Sequence, residues 1–156
     1  MASSANKYKR GKRLKNPAQL PMALQLYLNV LVGTRPVEEL RDICASDVFF
    51  QYDKDVRVLG IDAVYEQIAF RRQHLAGPPI TIKKMLDHGP DDEFGHCVKV
   101  NFMLRTLAVA GKMANAQPGE PLYVFLIAMY YLNDQRITSM YETHWPELFR
   151  LKHVAS

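Results

Sequence analysis

Residues 122–145 read LYVFLIAMYYLNDQRITSMYETHW, in which two largely apolar stretches flank a short polar break. Residues 122–132 form an unbroken apolar run of 11 and predict the most buried strand of a sheet. Asn133 and Asp134 then predict a tight turn, so we expect residues 137–145 to return as the neighbouring antiparallel strand. The run is too short for a membrane-spanning helix, which needs about 20 apolar residues.

Two further strands precede this pair, because the sequence changes near residue 80 from a helical period to alternation. Residues 80–88 alternate apolar and polar side chains, and residues 97–109 predict a long strand after the turn at residues 88–95, HGPDDEFG. Residues 110–120 are polar and predict a connection to the apolar run. We therefore expect four antiparallel strands in the second half of the chain.

The first half of the chain predicts three helices and a short hairpin. Apolar residues at helical spacing predict the first helix over residues 17–32, and a second is expected after Pro36, since proline fits the first helical turn. A hairpin is expected over residues 48–59, and a third helix from Gly60 to the break at residues 77–79. The residues expected to face the core from the third helix are Ile61, Val64, Tyr65, Ile68 and Ala69.

The composition is that of one globular domain. The chain has 156 residues, of which 48% are hydrophobic and 23% charged, and this excludes a disordered or collagen-like chain. The two cysteines, Cys44 and Cys97, are too few for a disulfide framework or a four-ligand zinc site. They are typical of a reducing compartment, so we expect an intracellular protein, whether mitochondrial, nuclear or cytoplasmic.

Positive charge is concentrated at the start of the chain. Residues 1–15 carry six basic residues and no acidic one, whereas the rest of the chain carries 14 basic and 16 acidic residues. We therefore expect a basic N-terminal arm over residues 1–16 and a domain over residues 17–152. Such an arm can bind RNA phosphate, anionic lipid or an acidic protein, resemble a nuclear-import signal, or be a solvated tail. It lacks the apolar segment of a secretory signal. Its basic residues are Lys7, Lys9, Arg10, Lys12, Arg13 and Lys15.

The order of these elements predicts an α+β fold, in which a curved, mostly antiparallel sheet forms a cone packed on three N-terminal helices. Three stretches carry a family resemblance: residues 44–50 (CASDVFF), residues 60–64 (GIDAV) and residues 136–145 (RITSMYETHW). Through them the chain resembles the nuclear transport factor 2-like (NTF2-like) superfamily, and within it the SnoaL-like branch. The resemblance covers residues 18–150 and implies the same cone. It leaves function open, because the superfamily holds isomerases, dehydratases, epoxide hydrolases, polyketide cyclases and non-catalytic dimeric adaptors.

The resemblance also implies a site inside the cone, on the last strand. SnoaL-like cyclases carry an acidic residue there as acid/base, and Glu142 occupies the matching position, with His144 two residues further on the same face. Burial in an apolar cavity would favour the protonated form of such a carboxylate and suit it to proton transfer. In the alternative arrangement, Glu142 lies near the cone mouth and pairs with Arg105 or Lys99. The implied pocket residues are Tyr52, Ile127, Met129 and Met140.

Other positions favour a binding role over catalysis. Ketosteroid-isomerase-like members carry a second carboxylate on the penultimate strand, where residues 125–129 of this chain are all apolar. The histidines show no metal-ligand spacing, and we expect no metal and no cofactor. Residues 122–132 are apolar on both faces, and in this superfamily the outer sheet face is the usual dimer surface. The interface residues expected there are Tyr123, Tyr130, Leu132 and Tyr141.

The leading hypothesis is a non-catalytic subunit or adaptor of a larger protein assembly, in a mitochondrial, ribonucleoprotein or nuclear-transport setting. The chain would form a homo- or hetero-oligomer through its sheet, and its basic arm would bind a neighbouring protein, RNA or an anionic surface. The alternative hypothesis is a SnoaL-like, cofactor-independent isomerase, cyclase or hydrolase. Such an enzyme would act on a small apolar substrate with Glu142 as acid/base.

Overall fold

The computed structural model describes residues 11–52, 56–73, 80–91, 93–107 and 121–145. Within these ranges the chain forms three helices and a seven-stranded sheet. The helices are α1 (Met22–Leu31), α2 (Leu40–Ile43) and α3 (Ile61–Arg72), with 3₁₀ turns at Pro17–Gln19 and Val37–Glu39. The strands are β1 (Lys12–Arg13), β2 (Cys44–Tyr52), β3 (Val56–Leu59), β4 (Thr81–Asp91), β5 (Gly95–Leu107), β6 (Pro121–Asn133) and β7 (Arg136–Trp145).

The sheet has the order β1-β4-β5-β6-β7-β2-β3, and the long strands β4 to β7 pair antiparallel in sequence order. β2 pairs in parallel with β7, with Phe50 beside Met140 and Tyr52 beside Glu142. The predicted α+β class, a mostly antiparallel sheet on three helices, is confirmed. Local patterns did not predict the parallel pairing, because the two strands are separated by most of the chain.

A proline divides the first helix at a point where the sequence predicted a continuous one. Pro21 biases the preceding Leu20 toward extended backbone (φ −67°, ψ 151°), so a 3₁₀ turn and α1 replace the helix expected over residues 17–32. Asn16 and Gln19 form a capping box around the 3₁₀ turn. The buried residues of α1 are Ala23, Leu24, Tyr27, Leu28, Val30 and Leu31.

Helix α3 buries polar side chains together with apolar ones. It begins after Gly60, whose φ of 96° is readily adopted only by glycine. Val64 and Ile68 face the core as predicted, and Gln67 and Arg71 are buried with them. Neither polar residue was among those predicted to face the core.

Strand β6 alternates between the core and the outer side of the sheet. Ile127 is 49% exposed on the outer side and Met129, two positions further, is half-buried there, so their predicted place in the pocket is wrong. Tyr130 and Leu132 are 0% and 4% exposed in the core, so their predicted place in an outer interface is wrong too. Both faces of this strand are apolar, so the sequence has no polar residues there that would identify the face turned to solvent.

The end of the predicted basic arm forms part of the sheet. β1 pairs with β4, and the side chain of Leu14 is buried in the core. Lys7, Lys9 and Arg10 lie outside the described residues, and the predicted boundary after residue 16 stays a prediction. In the described part of the chain, no helix is long and apolar enough to span a membrane.

Candidate functional site

Strand β7 brings one carboxylate into the core. The side chain of Glu142 has no solvent exposure, and it lies beside Tyr52 of β2 in the parallel pairing. Tyr52 and Met140 also face the interior, where the resemblance placed them. The side chain of His144 lies outside the described residues, so its predicted role beside Glu142 stays a prediction.

Arg71 neutralises this carboxylate. Helix α3 positions it, because Arg71 follows Ile68 by three residues and therefore lies on the same buried face. Its Nη1 lies 2.6 Å from Oε1 of Glu142, and neither side chain is exposed to solvent. The guanidinium also lies over the rings of Phe50 and Tyr52, at 4.8 Å and 5.3 Å from their centroids.

Two tyrosines complete the surroundings of the carboxylate. The hydroxyl of Tyr27, from α1, donates to Oε2 of Glu142 at 3.3 Å, and the hydroxyl of Tyr130, from β6, donates to the same oxygen at 3.4 Å. Their ring centroids lie 5.5 Å apart. We call Tyr27, Arg71, Tyr130 and Glu142 the buried cluster.

The electrostatics of the buried cluster keep both phenols protonated. Burial, and then the negative charge of Glu142, raise the pKa of Tyr27 and of Tyr130 well above the ordinary value. Burial works against the charge of Arg71, but the attraction of Glu142 and its neighbours outweighs it and raises the pKa of Arg71. The tyrosines therefore act as hydrogen-bond donors and the arginine stays a cation.

The geometry of the buried cluster suits a structural ion pair. Oε1 of Glu142 faces the guanidinium, and Oε2 accepts the two phenols, so both oxygens have protein partners. A general acid or base has to reach the proton it moves, at about 2.6–3.2 Å or through one water. The charged partner seen among the described side chains is Arg71, from helix α3, whereas the sequence analysis considered the strand residues Arg105 and Lys99.

Two surface clefts lie at the β4 edge of the sheet. One, of about 290 Å³, lies between β1 and β4, and the other, of about 230 Å³, lies between α1 and the start of β4. Neither is lined by a residue of the buried cluster. In the ranges that the structure describes, no group of three His, Cys, Asp or Glu residues could hold a metal ion. Cys44 and Cys97 are buried thiols, and burial raises the pKa of Cys44 to about 12.

The outer side of the sheet carries a row of aromatic rings. Tyr131 lies 5.6 Å from Phe94 and 5.8 Å from Tyr141, and Tyr141 lies 5.6 Å from Phe49, measured between ring centroids. Tyr123 and Tyr141, which the sequence analysis expected at an interface, are 61% and 37% exposed on this side. We call the following residues the outer sheet face: Tyr123, Phe125, Ile127, Met129, Tyr131 and Tyr141.

Comparison with solved structures identifies the fold. The chain matches IdmH, a candidate polyketide cyclase from Streptomyces antibioticus, with a TM-score of 0.61 and 13% identity over 91% of this chain and 100% of that one. It matches an LEH-like epoxide hydrolase from M. tuberculosis with a TM-score of 0.57 and 14% identity, over 86% of this chain and 91% of the other. It also matches a candidate SnoaL-like polyketide cyclase from Jannaschia sp. CCS1 with a TM-score of 0.56 and 18% identity, over 83% and 86% of the two chains. The chain has an NTF2-like fold.

The predicted resemblance is therefore confirmed at the level of the fold. No protein-family model and no curated protein matches the sequence. Glu142 faces the interior from the last strand, but the fold supports both catalytic and non-catalytic proteins.

Within this NTF2-like fold, sequence reasoning missed Arg71 and Tyr27. A signal for Arg71 was present, because it follows Ile68 on the helical face that carries the apolar residues of α3. An arginine on such a face needs a buried counter-ion, and Glu142 was the acidic residue predicted to face the interior. Nothing in the local sequence marks the hydroxyl of Tyr27 as a donor to a carboxylate on a distant strand.

Proposed function

We propose that this chain is a non-catalytic subunit of a protein assembly and that it associates with a second copy of itself through the outer sheet face. The observation that carries the proposal is the exposure of this face: Tyr123, Phe125 and Ile127 are 61%, 47% and 49% exposed. Contiguous apolar surface of this kind marks a protein interface more often than a free surface.

These side chains form one continuous patch. They occupy alternate positions of β6, so neighbours along the strand lie roughly 7 Å apart. Across the sheet, Phe125 lies opposite Met103 of β5, and Ile127 lies between Asn101 of β5 and Thr143 of β7. These five positions are uncharged. Toward its ends the patch is flanked on β5 by basic residues, Lys99 opposite Met129 and Arg105 opposite Tyr123. A second copy, related by a twofold axis, would place the uncharged centre of the patch against its own equivalent, which is the self-complementarity that a symmetric dimer needs.

The size of the patch fits a weak, concentration-dependent contact. Residues 123–131 of β6 span about 31 Å at about 3.4 Å per residue. Three strands spaced about 4.8 Å apart give a footprint of roughly 440 Å² on each copy. Two copies would bury about 900 Å², which is the size of a weak or transient interface.

The buried cluster supports a role that does not depend on the interior. Glu142 is held between a guanidinium and two phenols, and its side chain has no solvent exposure. A group in this position stabilises the contact between α3, α1 and the sheet. A substitution that leaves the interior intact but places a charge on the outer sheet face is therefore expected to abolish the association of the two copies.

The experiment is sedimentation velocity on the full chain over a range of concentrations, with Ile127→Asp and a matched control. Ile127→Asp places a charge in the centre of the outer sheet face and should convert a dimer into a monomer without loss of helix content by circular dichroism. Met22→Asp is the control, because Met22 is 64% exposed but lies on α1. This control should remain a dimer. A wild-type chain that sediments as a monomer at every concentration contradicts the proposed homodimer.

The enzyme hypothesis has one observation in its favour: an epoxide hydrolase and candidate polyketide cyclases share the fold. A SnoaL-like enzyme that uses Glu142 would need the interior to open to a substrate. Thermal unfolding with a panel of small epoxides and aromatic ketones tests this hypothesis. A compound that raises the Tm of the wild type but not that of Glu142→Gln would favour the enzyme over the non-catalytic subunit.

The wider assembly depends on the partners of the dimer. The native mass of the particle purified through the full chain, with and without ribonuclease, separates a free dimer from a larger protein or ribonucleoprotein complex. A mass above that of a dimer is expected if the basic arm binds a neighbour. A ribonuclease-sensitive mass would identify that neighbour as RNA.

A further inference from the structure

The cleft between β1 and β4 is lined by cations. We call it the basic cleft; it has a volume of about 290 Å³. Four of its seven lining residues are positively charged and none is acidic. The charged residues are Arg13 and Lys15, from the chain around β1, and Lys83 and Lys84, from β4; the apolar residues are Leu14, Ile82 and Met85.

The backbone fixes the two walls of the basic cleft relative to each other. Arg13 pairs with Leu86 of β4, and the N–H of Leu14 donates to the carbonyl of Met85 at 3.0 Å. Beyond the strand, the N–H of Lys15 donates to the side chain of Gln19 at 2.8 Å. The basic residues of this segment therefore extend from a backbone that is hydrogen-bonded to β4 and to the side chain of Gln19.

A register shift in β4 supplies the second wall. Alternation along a strand would turn one of two consecutive lysines inward. The pairing of β4 with β5 shifts between Ile82 and Lys84, and both Lys83 and Lys84 are exposed as a result. Lys83 and Lys84 therefore line the basic cleft together with Arg13 and Lys15.

Asp87, a carboxylate of β4, has partners outside the basic cleft. Asp87 lies opposite Lys12 in the pairing of β1 with β4. Its Oδ1 contacts Nε2 of His96 on β5 and accepts the N–H of Gly89 at 2.8 Å. Among the described side chains, no carboxylate pairs with the four cations of the basic cleft. An anion in the cleft would relieve their mutual repulsion.

We propose that the basic cleft binds the phosphate backbone of single-stranded RNA. Concave surface lined by cations suits a linear chain of phosphates, and the guanidinium of Arg13 offers a fork of donors that matches a phosphate group. The cleft has no aromatic lining on which a base could stack, so binding should be independent of base sequence. This site does not depend on the proposed dimer through the outer sheet face.

The structure favours RNA over a lipid surface. Two of the three apolar residues of the basic cleft form its floor, since Leu14 and Met85 are 7% and 5% exposed, and the third, Ile82, is half-buried. They are not available to enter a bilayer, and a membrane-binding surface normally presents exposed apolar side chains beside its cations. A narrow chain of phosphates can enter the concavity, whereas a flat array of headgroups meets only its rim.

The experiment is fluorescence anisotropy of labelled oligo(U) RNA with the full-length protein, as a function of potassium chloride. Lys83→Gln/Lys84→Gln removes two cations from the basic cleft. Arg57→Gln/Arg136→Gln removes the same charge from exposed positions elsewhere, on β3 at the opposite edge of the sheet and at the start of β7, and is the matched control. Circular dichroism checks that both variants are folded.

Counter-ion release sets the expected size of the effect. Each phosphate contact to a single strand contributes about −0.7 to the slope of log K against log salt, so two lost contacts should reduce the slope by about 1.4. At about 0.1 M salt this corresponds to roughly fivefold weaker binding per contact, or about 25-fold for the double variant. The control variant should lose less than about threefold, because its charges act only at long range.

Three results would overturn the proposal. The first is no binding of oligo(U) by the wild type at low salt. The second is an equal loss in the cleft variant and the control, which would mean that net charge alone attracts RNA. The third is stronger binding to phosphatidylserine-containing vesicles or to poly-glutamate than to RNA of equal charge, which would assign the cleft to a membrane or to an acidic protein.

Discussion

Replacing Arg71 by methionine tests whether the buried cluster is a structural ion pair. The substitution keeps a side chain of similar length but leaves Glu142, whose side chain has no solvent exposure, without the guanidinium nitrogen 2.6 Å away. An uncompensated buried charge of this kind lowers the free energy of unfolding by about 3–5 kcal/mol. With a urea dependence of about 2 kcal/mol per molar, the midpoint of unfolding should fall by roughly 1.5–2.5 M.

A second substitution separates loss of charge from loss of packing. Glu142→Gln keeps an oxygen that accepts the hydroxyls of Tyr27 and Tyr130, but it leaves Arg71 as the uncompensated charge. Alone it should destabilise the protein by a similar amount. The double variant, Arg71→Met with Glu142→Gln, has no charge in the buried cluster and should be more stable than either single variant. The double-mutant cycle should give a coupling free energy of about 3 kcal/mol or more.

The matched control is an exposed ion pair in the same chain. Arg41 lies 2.8 Å from Asp62, and their side chains are 54% and 83% exposed, so Arg41→Met should cost at most about 1 kcal/mol. Urea unfolding at neutral pH, followed by far-ultraviolet circular dichroism, measures all four variants. A cost for Arg71→Met no larger than that of the control would refute the reasoning. Costs that simply add in the double variant would do the same.

Three further predictions concern pH, thiol reactivity and backbone strain. Burial raises the pKa of Tyr27 and Tyr130 in the folded protein above their values in the unfolded chain. The free energy of unfolding should therefore be unaffected by these tyrosines below about pH 9 and should fall above about pH 10. The fall should be up to about 1.4 kcal/mol per pH unit for each tyrosine. Replacing both by phenylalanine should flatten this alkaline decline. Cys44, with its pKa raised to about 12, should react with iodoacetamide at neutral pH only as fast as the protein opens, as mass spectrometry with and without urea can measure. Gly95→Ala should prevent folding or lower the Tm far more than Gly89→Ala does. Both glycines have a positive φ, which costs a residue with a Cβ about 1–2 kcal/mol. At Gly95 the Cβ would also lie 2.4 Å from a backbone oxygen of β6, whereas at Gly89 it would meet open space.

The sequence predicted the kinds of elements and their order because these depend on local periodicity. The change from helical spacing to alternation near residue 80 marks where the long strands begin, and β4 to β7 lie close to their predicted ranges. A steric rule that acts between neighbouring residues explains the difference at the first helix, which Pro21 divides. The second helix ends at Ile43, where β2 begins.

The tertiary structure alone decided which face of β6 is inside and what surrounds Glu142. Alternation shows that every second residue of a strand lies on the same face, but an apolar strand has no polar residue that identifies the solvent side. Ile127 and Tyr130 were therefore assigned to the wrong sides of the sheet. Glu142 meets Arg71 across 71 positions of sequence and Tyr27 across 115. Contacts of that range form only when the helices pack on the sheet, because local patterns specify the direction of a side chain and not the identity of the group it meets.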